Sequence, residues 1–380
     1  MKIRMIALAL VVACLCGCTP KEQESKKKAN TATEPTLVTI PTPVSDPLAD
    51  IVNNMTVEEL VGQLFLVRYP GTEQALEDAQ TYHIGGYVLF GSDTKNQTPS
   101  GLKAEMDALQ QAAKIPLIIA VDEEGGSVTR VSGYGQYRST KFPSPRQLYN
   151  EGGLKLVLET EQEKCQLLRS VGINTNLAPV CDITTDPYAF MYSRSIGLSP
   201  EDTATYIAAT VKTMDSEGVG SVLKHFPGYG NNLDTHIGTA VDQRTLDQLK
   251  EADLLPFQAG MDAGCGAVMV THTIITSIDP ELPASLSPVV VDYLRDEMNF
   301  WGVIMTDDLA MQAITDVYGV EEAAVMAVEA GIDVLCCSEY RVQYQAVLQA
   351  VKDGRITIPQ LMNAAMRVIQ WKASIGLIKQ

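Results

Sequence analysis

The chain has 380 residues, 46% of them apolar, which is enough for a real core and excludes a wholly disordered polymer. Its 29 basic residues face 46 acidic ones, a net charge of −17, so no nucleic-acid partner is expected. The length suits two ordinary domains or one large barrel.

The N-terminus comes first. Lys2 and Arg4 precede Met5–Cys16, an unbroken apolar run of 12 residues. That is too short to span a bilayer as a mature helix, and it has the layout of an export signal. It leads into Leu15-Cys16-Gly17-Cys18, which resembles a bacterial lipobox with cleavage before Cys18 and lipid on its thiol. The alternative is an ordinary secretory signal. Residues 1–17 are therefore expected to be a lipoprotein signal peptide. The mature protein is then exported and lipid-anchored to the cell membrane, with its folded domain on the outer side. Residues 18–46, rich in Lys, Thr, Glu and Pro, carry no hydrophobic period and are expected to form a disordered linker. Such a coil reaches roughly 30 Å, which lifts an acidic domain off an anionic surface. Of eight cysteines, Cys165, Cys181, Cys265, Cys336 and Cys337 belong to the domain. An odd number in apolar surroundings reads as buried thiols rather than a disulfide framework.

Residues 47–380 alternate short apolar runs with amphipathic stretches. The runs are Gln63–Val67, Gly86–Phe90, Leu117–Val121, Thr175–Val180, Ser221–Phe226, Ala267–Thr271, Val303–Thr306 and Asp333–Cys336. Each is apolar on both faces, as a parallel strand covered on both sides should be. Helix-like stretches lie between them, among them Gly101–Ala113, Leu154–Ser170, Glu201–Glu217, Pro288–Met298, Val320–Ala330, Tyr340–Val351 and a closing Ile358–Ile375. The pattern predicts an α/β fold, a (β/α)8 TIM-type barrel forming a single catalytic domain. An open doubly wound sheet is the competitor, disfavoured because no Gly-x-Gly-x-x-Gly follows the first run.

In such a barrel, working residues sit just past the C-terminal strand ends. Polar groups do cluster there: Asp122-Glu123-Glu124, Asp182, Lys224-His225, His272, Asp307-Asp308 and Ser338-Glu339. Lys224 and His225 are adjacent, so their side chains diverge unless the strand bends. Asp234 and His236 form an Asp-x-His pair in a Gly-containing loop. There a carboxylate can fix the imidazole's tautomer, or the Asp can simply cap its own backbone. Of Asp307 and Asp308, one can face the barrel as a nucleophile or base while the other caps the following helix; parity alone leaves open which. Asp122 can accept hydrogen bonds from sugar hydroxyls. Arg130 and Arg194 are either binding groups or members of ion pairs. The four histidines show no His-x-x-x-His pair on one element, so no metal is expected.

KHFPGYG at Lys224–Gly230 followed by DTH, with VDEEGG upstream and MTDDLAM downstream, resembles glycoside hydrolase family 3, in its β-N-acetylhexosaminidase branch. The resemblance covers most of residues 48 to 376, in motif order. It implies an exo-acting retaining β-N-acetylhexosaminidase that removes terminal β-linked GlcNAc from cell-wall or chitin-derived saccharides. In that reading Asp307 is the nucleophile, and His236, paired with Asp234, is the acid/base. Asp122, Arg130, Arg194, Lys224 and His225 bind the sugar. No cofactor is implied, and a monomer is expected. The chain departs from the family's usual pattern at Glu123, Ser127 and Tyr229, where Gln, Arg and His are more common. Three alternatives remain: a family 3 β-glucosidase, a phosphorylase using phosphate in place of water, or a sugar-binding lipoprotein without catalysis.

Overall fold

The computed structural model describes residues 46–230 and 240–379. The expected signal peptide, Cys18 and the expected linker up to residue 45 lie outside the described residues, as do Asp234 and His236.

Serine, threonine and aspartate followed by proline start several helices. Asp46, Thr98, Ser144, Ser199 and Ser287 each accept a backbone N–H of the first turn, and each is followed by proline at the first helical position. Proline suits that position because its missing N–H would have had no partner there. Such a cap is worth about 1 kcal/mol. The helix Pro145–Ser170 is kinked at Gly152–Gly153, where Gly153 has φ 63°, so its long regular part starts at Leu154 as the periodicity predicts. The stretch expected from Pro288 splits into Pro288–Asp292 and a π-turn at Tyr293–Glu297.

The strands are β1 (Phe65–Arg68), β2 (Gly86–Leu89), β3 (Ile118–Val121), β4 (Thr175–Asn176), β5 (Gly220–Phe226), β6 (Val241–Asp242), β7 (Ala267–Val270), β8 (Ile274–Ile275), β9 (Val303–Thr306) and β10 (Leu335–Cys337). Eight of them form one sheet in the order β10-β1-β2-β3-β4-β5-β7-β9. Its pairings are all parallel, and a parallel bridge between Met305 and Val334 closes it. The fold is the (β/α)8 barrel. β6 and β8 make a small separate parallel pair beside it. The fourth strand is shorter than its apolar run, because Leu177-Ala178-Pro179 leaves regular pairing and only Val180 bridges back, to Lys224.

Inward side chains Leu66, Val88, Ile118, Ala120, Leu177, Val222, Met269, Val303 and Met305 fill the barrel. The larger core lies between strands and helices. The N-terminal end is plugged by the closing helix, Ile358–Ser374. Its Trp371 presses on Gly220 and Gly266, and a Cβ at Gly266 would come within 2.2 Å of the indole. The barrel interior is filled at that end, while the polar strand-end residues gather at the other.

Candidate active site

A cavity of about 300 Å³ opens among the C-terminal strand ends. Asp122, Arg130, Arg194, Lys224, His225 and Asp307 all line it, with Arg68, Phe90, Glu124, Tyr229, Met311 and Cys336 among the further wall residues. Every sequence-predicted site residue within the described part is thus in one place. Asp234 and His236 fall between Gly230 and Ala240, outside the described residues.

Lys224 and His225 do not diverge. Pairing of β5 with β7 shifts register between Leu223 and Phe226, the Lys224–His225 peptide is cis, and both side chains line the cavity. Lys224 is 2% exposed, and its Nζ donates to Asp122 Oδ1 at 2.6 Å and approaches Glu124 Oε1 at 2.7 Å. Arg194 clamps Glu124 with both arms, Nε to Oε2 at 2.9 Å and Nη2 to Oε1 at 2.6 Å. Burial works against the Glu124 carboxylate, but Lys224 and Arg194 outweigh it and hold its pKa well below the usual range. Burial likewise works against the Lys224 ammonium, and Asp122 and Glu124 more than restore it. The arginine pair at this position is therefore buried rather than at the surface.

His225 is oriented by Asp182. The ring Nδ1 lies 2.8 Å from Asp182 Oδ2, and the other carboxylate oxygen accepts the Tyr229 N–H at 2.7 Å. Arg194 Nη2 lies 3.3 Å from His225 Nε2. A guanidinium can only donate, so this pair assigns the Nδ1–H tautomer, with Nε2 as acceptor.

The two aspartates after β9 divide their work. Asp308 Oδ1 accepts the Ala310 N–H at 2.9 Å and its Oδ2 accepts the Ser338 hydroxyl at 2.6 Å. It builds the turn, while the next helix, Gln312–Tyr318, starts after Met311. Asp307 Oδ1 accepts the Asp308 N–H at 2.8 Å. Burial opposes its charge, yet that N–H and the Lys224 ammonium lower its pKa, so it stands as a carboxylate. His272, buried behind it, lies 2.7 Å from Ser285 Oγ and 2.9 Å from the Asp308 carbonyl.

The sequence marks Asp182 and Glu124 only as strand-end polar residues and Phe90 only as the end of an apolar run, and it gives no sign of Arg68. Arg68 clamps Asp93 at 2.6 Å and stacks 4.6 Å from the Phe90 centroid. The domain cysteines are free thiols, all buried except half-buried Cys336. Among the described residues no group of three or more His, Cys, Asp or Glu is placed to hold a metal ion.

The chain has known relatives. Residues 56–371 match the family model described as the glycosyl hydrolase family 3 N terminal domain. The beta-hexosaminidase LpqI of Mycobacterium tuberculosis is 32% identical over 381 residues, covering 96% of this chain and 95% of LpqI. A beta-hexosaminidase of Stenotrophomonas maltophilia is 35% identical over 282 residues, 72% of this chain and 82% of its own length. The solved structure of a family 3 beta-N-acetylglucosaminidase from a Paenibacillus species superposes with a TM-score of 0.80 at 32% identity. The match covers 85% of this chain and 63% of that one, so this chain spans less than two thirds of the Paenibacillus protein. With a family model over most of the barrel and a relative matched almost end to end, the chain belongs to glycosyl hydrolase family 3 and is a glycoside hydrolase.

Proposed function

We propose that the protein is an exo-acting, retaining β-N-acetylhexosaminidase that removes terminal β-linked GlcNAc from cell-wall or chitin-derived saccharides. The observation that carries this reading is the cavity. Asp307 shares with Asp122, Arg130, Arg194, Lys224 and His225 a cavity of about 300 Å³, the lower end of the range for small-molecule sites. That volume suits one terminal sugar rather than a continuing polymer. The names of the relatives favour an acetamido sugar.

In the mechanism Asp307 attacks the anomeric carbon while His236, as imidazolium, protonates the departing oxygen. The neutral imidazole then takes a proton from water, which displaces Asp307 and restores the starting configuration. A histidine replaces the second carboxylate of the common scheme, and Asp234 stabilises its charged form. General acid–base help of this kind is worth about 10²–10⁴-fold. Tyr229 lines the cavity, and His236 is seven residues further on, within roughly 25 Å of extended chain. Asp122, Lys224, His225 and the two arginines hold the sugar near its attack geometry.

The test is release of chromophore from an aryl β-N-acetylglucosaminide and from the matching β-glucoside, with and without phosphate. The anomer formed first is read by proton NMR. Hydrolysis of the acetamido sugar with retention, lost in Asp307→Ala, supports the proposal. Phosphate-dependent formation of a sugar 1-phosphate would make the enzyme a phosphorylase, and preference for the glucoside would make it a β-glucosidase. Binding without turnover would leave a sugar-binding lipoprotein.

The location belongs to the same proposal. Export, lipid attachment at Cys18 and a monomeric barrel held outside the membrane fit scavenging or wall turnover. No helix among the described residues is long and apolar enough to cross a membrane. Partition of the expressed protein into detergent, lost in Cys18→Ser, tests the anchor, and light scattering tests the monomer.

A further inference from the structure

Glu123 is fully buried and does not line the cavity, yet its carboxylate takes four donors. Oε2 accepts the backbone N–H of Arg130 and of Val131, both at 2.7 Å. Oε1 accepts the Ser132 N–H at 3.3 Å and the Ser132 hydroxyl. Its own backbone is pinned to β4: the Glu123 N–H donates to Asn176 Oδ1 at 2.9 Å, and Asn176 Nδ2 donates to the Glu123 carbonyl at 3.1 Å. Between the two ends of this clamp the chain turns at Gly125 and Gly126, with φ of 99° and 66°. A Cβ on Gly125 would lie 2.3 Å from the Pro143 carbonyl oxygen. The segment therefore leaves β3, turns tightly, and returns to lay three successive backbone N–H groups on one buried carboxylate.

The residue delivered by that return is Arg130. Its guanidinium lines the cavity and lies 5.7 Å from the Phe90 centroid, opposite a ring that also carries Arg68. It makes no ion pair among the described residues, and its Nε is buried without a hydrogen-bond partner. Lys224, Arg194 and Arg68 are paired with carboxylates, so among the described residues Arg130 is the cavity cation without an ion-pair partner. A buried donor without a protein partner is ready for an acceptor oxygen on a ligand. Its own side chain has little else to fix it, so its aim must come from its backbone.

We propose that Glu123 is the positioning residue for Arg130: it fixes the backbone of residues 130–132 so that the guanidinium meets the sugar's oxygens, and it neither touches substrate nor exchanges protons. A neutral side chain would serve less well. Glutamine offers one oxygen and turns an NH2 toward further donors, whereas both carboxylate oxygens accept. The proposal rests on the reading that Arg130 binds substrate.

The test is a double-mutant cycle on kcat/KM for the aryl β-N-acetylglucosaminide, using Glu123→Ala, Arg130→Ala and the pair, with folding checked by circular dichroism. Each single change is expected to lose about 10²-fold, since misplacing a binding group costs as much as that. The pair should be within about twofold of Arg130→Ala alone, because the carboxylate acts through the arginine. Glu123→Gln should lose about tenfold and keep the wild-type pH profile. Losses that multiply in the double variant would overturn the proposal, as would a moved pH limb in Glu123→Gln. An Arg130→Ala enzyme with wild-type kcat/KM would instead remove the parent reading of Arg130. If Glu123→Ala does not fold, the Glu123→Gln and Arg130→Ala cycle carries the same outcomes.

Discussion

Two lysines, one at each end of the barrel, are equally buried and oppositely treated. Lys224, at the C-terminal mouth, has two carboxylates within 2.7 Å. Burial would strip its proton, but Asp122 and Glu124 raise its pKa and keep it an ammonium. Lys372, in the plug at the N-terminal end, is 0% exposed, and its Nζ donates to Gln63 Oε1 at 2.7 Å. It is in no ion pair among the described residues, and burial alone pushes its pKa down to about 7. Desolvation acts against the charge in both places, and the partners decide the outcome. At the mouth, charges are paired to persist where a substrate must be held. At the base, a long side chain serves chiefly as filling, and its amine is tolerated.

The contrast predicts that changes at the mouth remove activity and changes at the base alter stability alone. The largest effect belongs to Asp307→Ala. Turnover of the aryl substrate should fall on the order of 10⁴-fold or more, as for other nucleophiles of covalent mechanisms. The melting temperature should hold or rise, since a half-buried carboxylate opposed by desolvation is removed. A loss of less than tenfold would take the nucleophile elsewhere. Next is Lys224→Met. It leaves Asp122 without its ammonium and Glu124 with Arg194 only, so about 3 kcal/mol of stability should go together with substrate binding. Chemical denaturation and KM read the two losses. Full stability in this variant would mean that the mouth cluster relaxes into water, and the comparison with Lys372 would fail.

The eight-strand barrel was legible in the sequence because parallel strands buried on both faces read as unbroken apolar runs. Val303–Thr306 coincides with its run, and most others agree within two residues. Thr175–Val180 does not, because apolarity continues through Leu177-Ala178-Pro179 while pairing stops. Asp122, Lys224 and Asp307 were legible as strand-end polar groups. Their partners were not, because a carboxylate such as Glu124, three residues past a strand end, carries no sign of which cations will fold onto it. Asp182 is the clearest omission: its tie to His225 joins residues 43 positions apart, a closeness only the β4–β5 neighbourhood creates. Asp182→Asn keeps the size but removes one charge from the ring's partner. It should lower kcat/KM by about 10²-fold with little change in melting temperature. An unchanged kcat/KM would show that the His225 ring is held by its other contacts alone.

The smallest effect is expected at Lys372, and its sign is fixed by linkage. The folded pKa of about 7 lies below the 10.5 of a free lysine. Between those two pH values the unfolded chain carries a proton that the folded chain lacks. Stability must therefore rise with pH through that window, at up to about 1.4 kcal/mol per unit, and be lowest and flat below pH 7. Lys372→Met removes the titrating group, so its contribution to the slope disappears. At pH 6 the variant should be more stable than the parent by roughly 1–3 kcal/mol, the relief of a buried charge less the loss of the bond to Gln63. Above pH 10 the difference should shrink or reverse, since the neutral amine then satisfies Gln63 without penalty. Activity on the aryl sugar should be unaltered, as the whole depth of the barrel separates Lys372 from the cavity. Denaturant midpoints of both proteins across pH 6 to 10 decide it. Parallel curves would mean that the Lys372 ammonium finds water or a carbonyl at the base, and that the two ends of the barrel treat a buried charge alike.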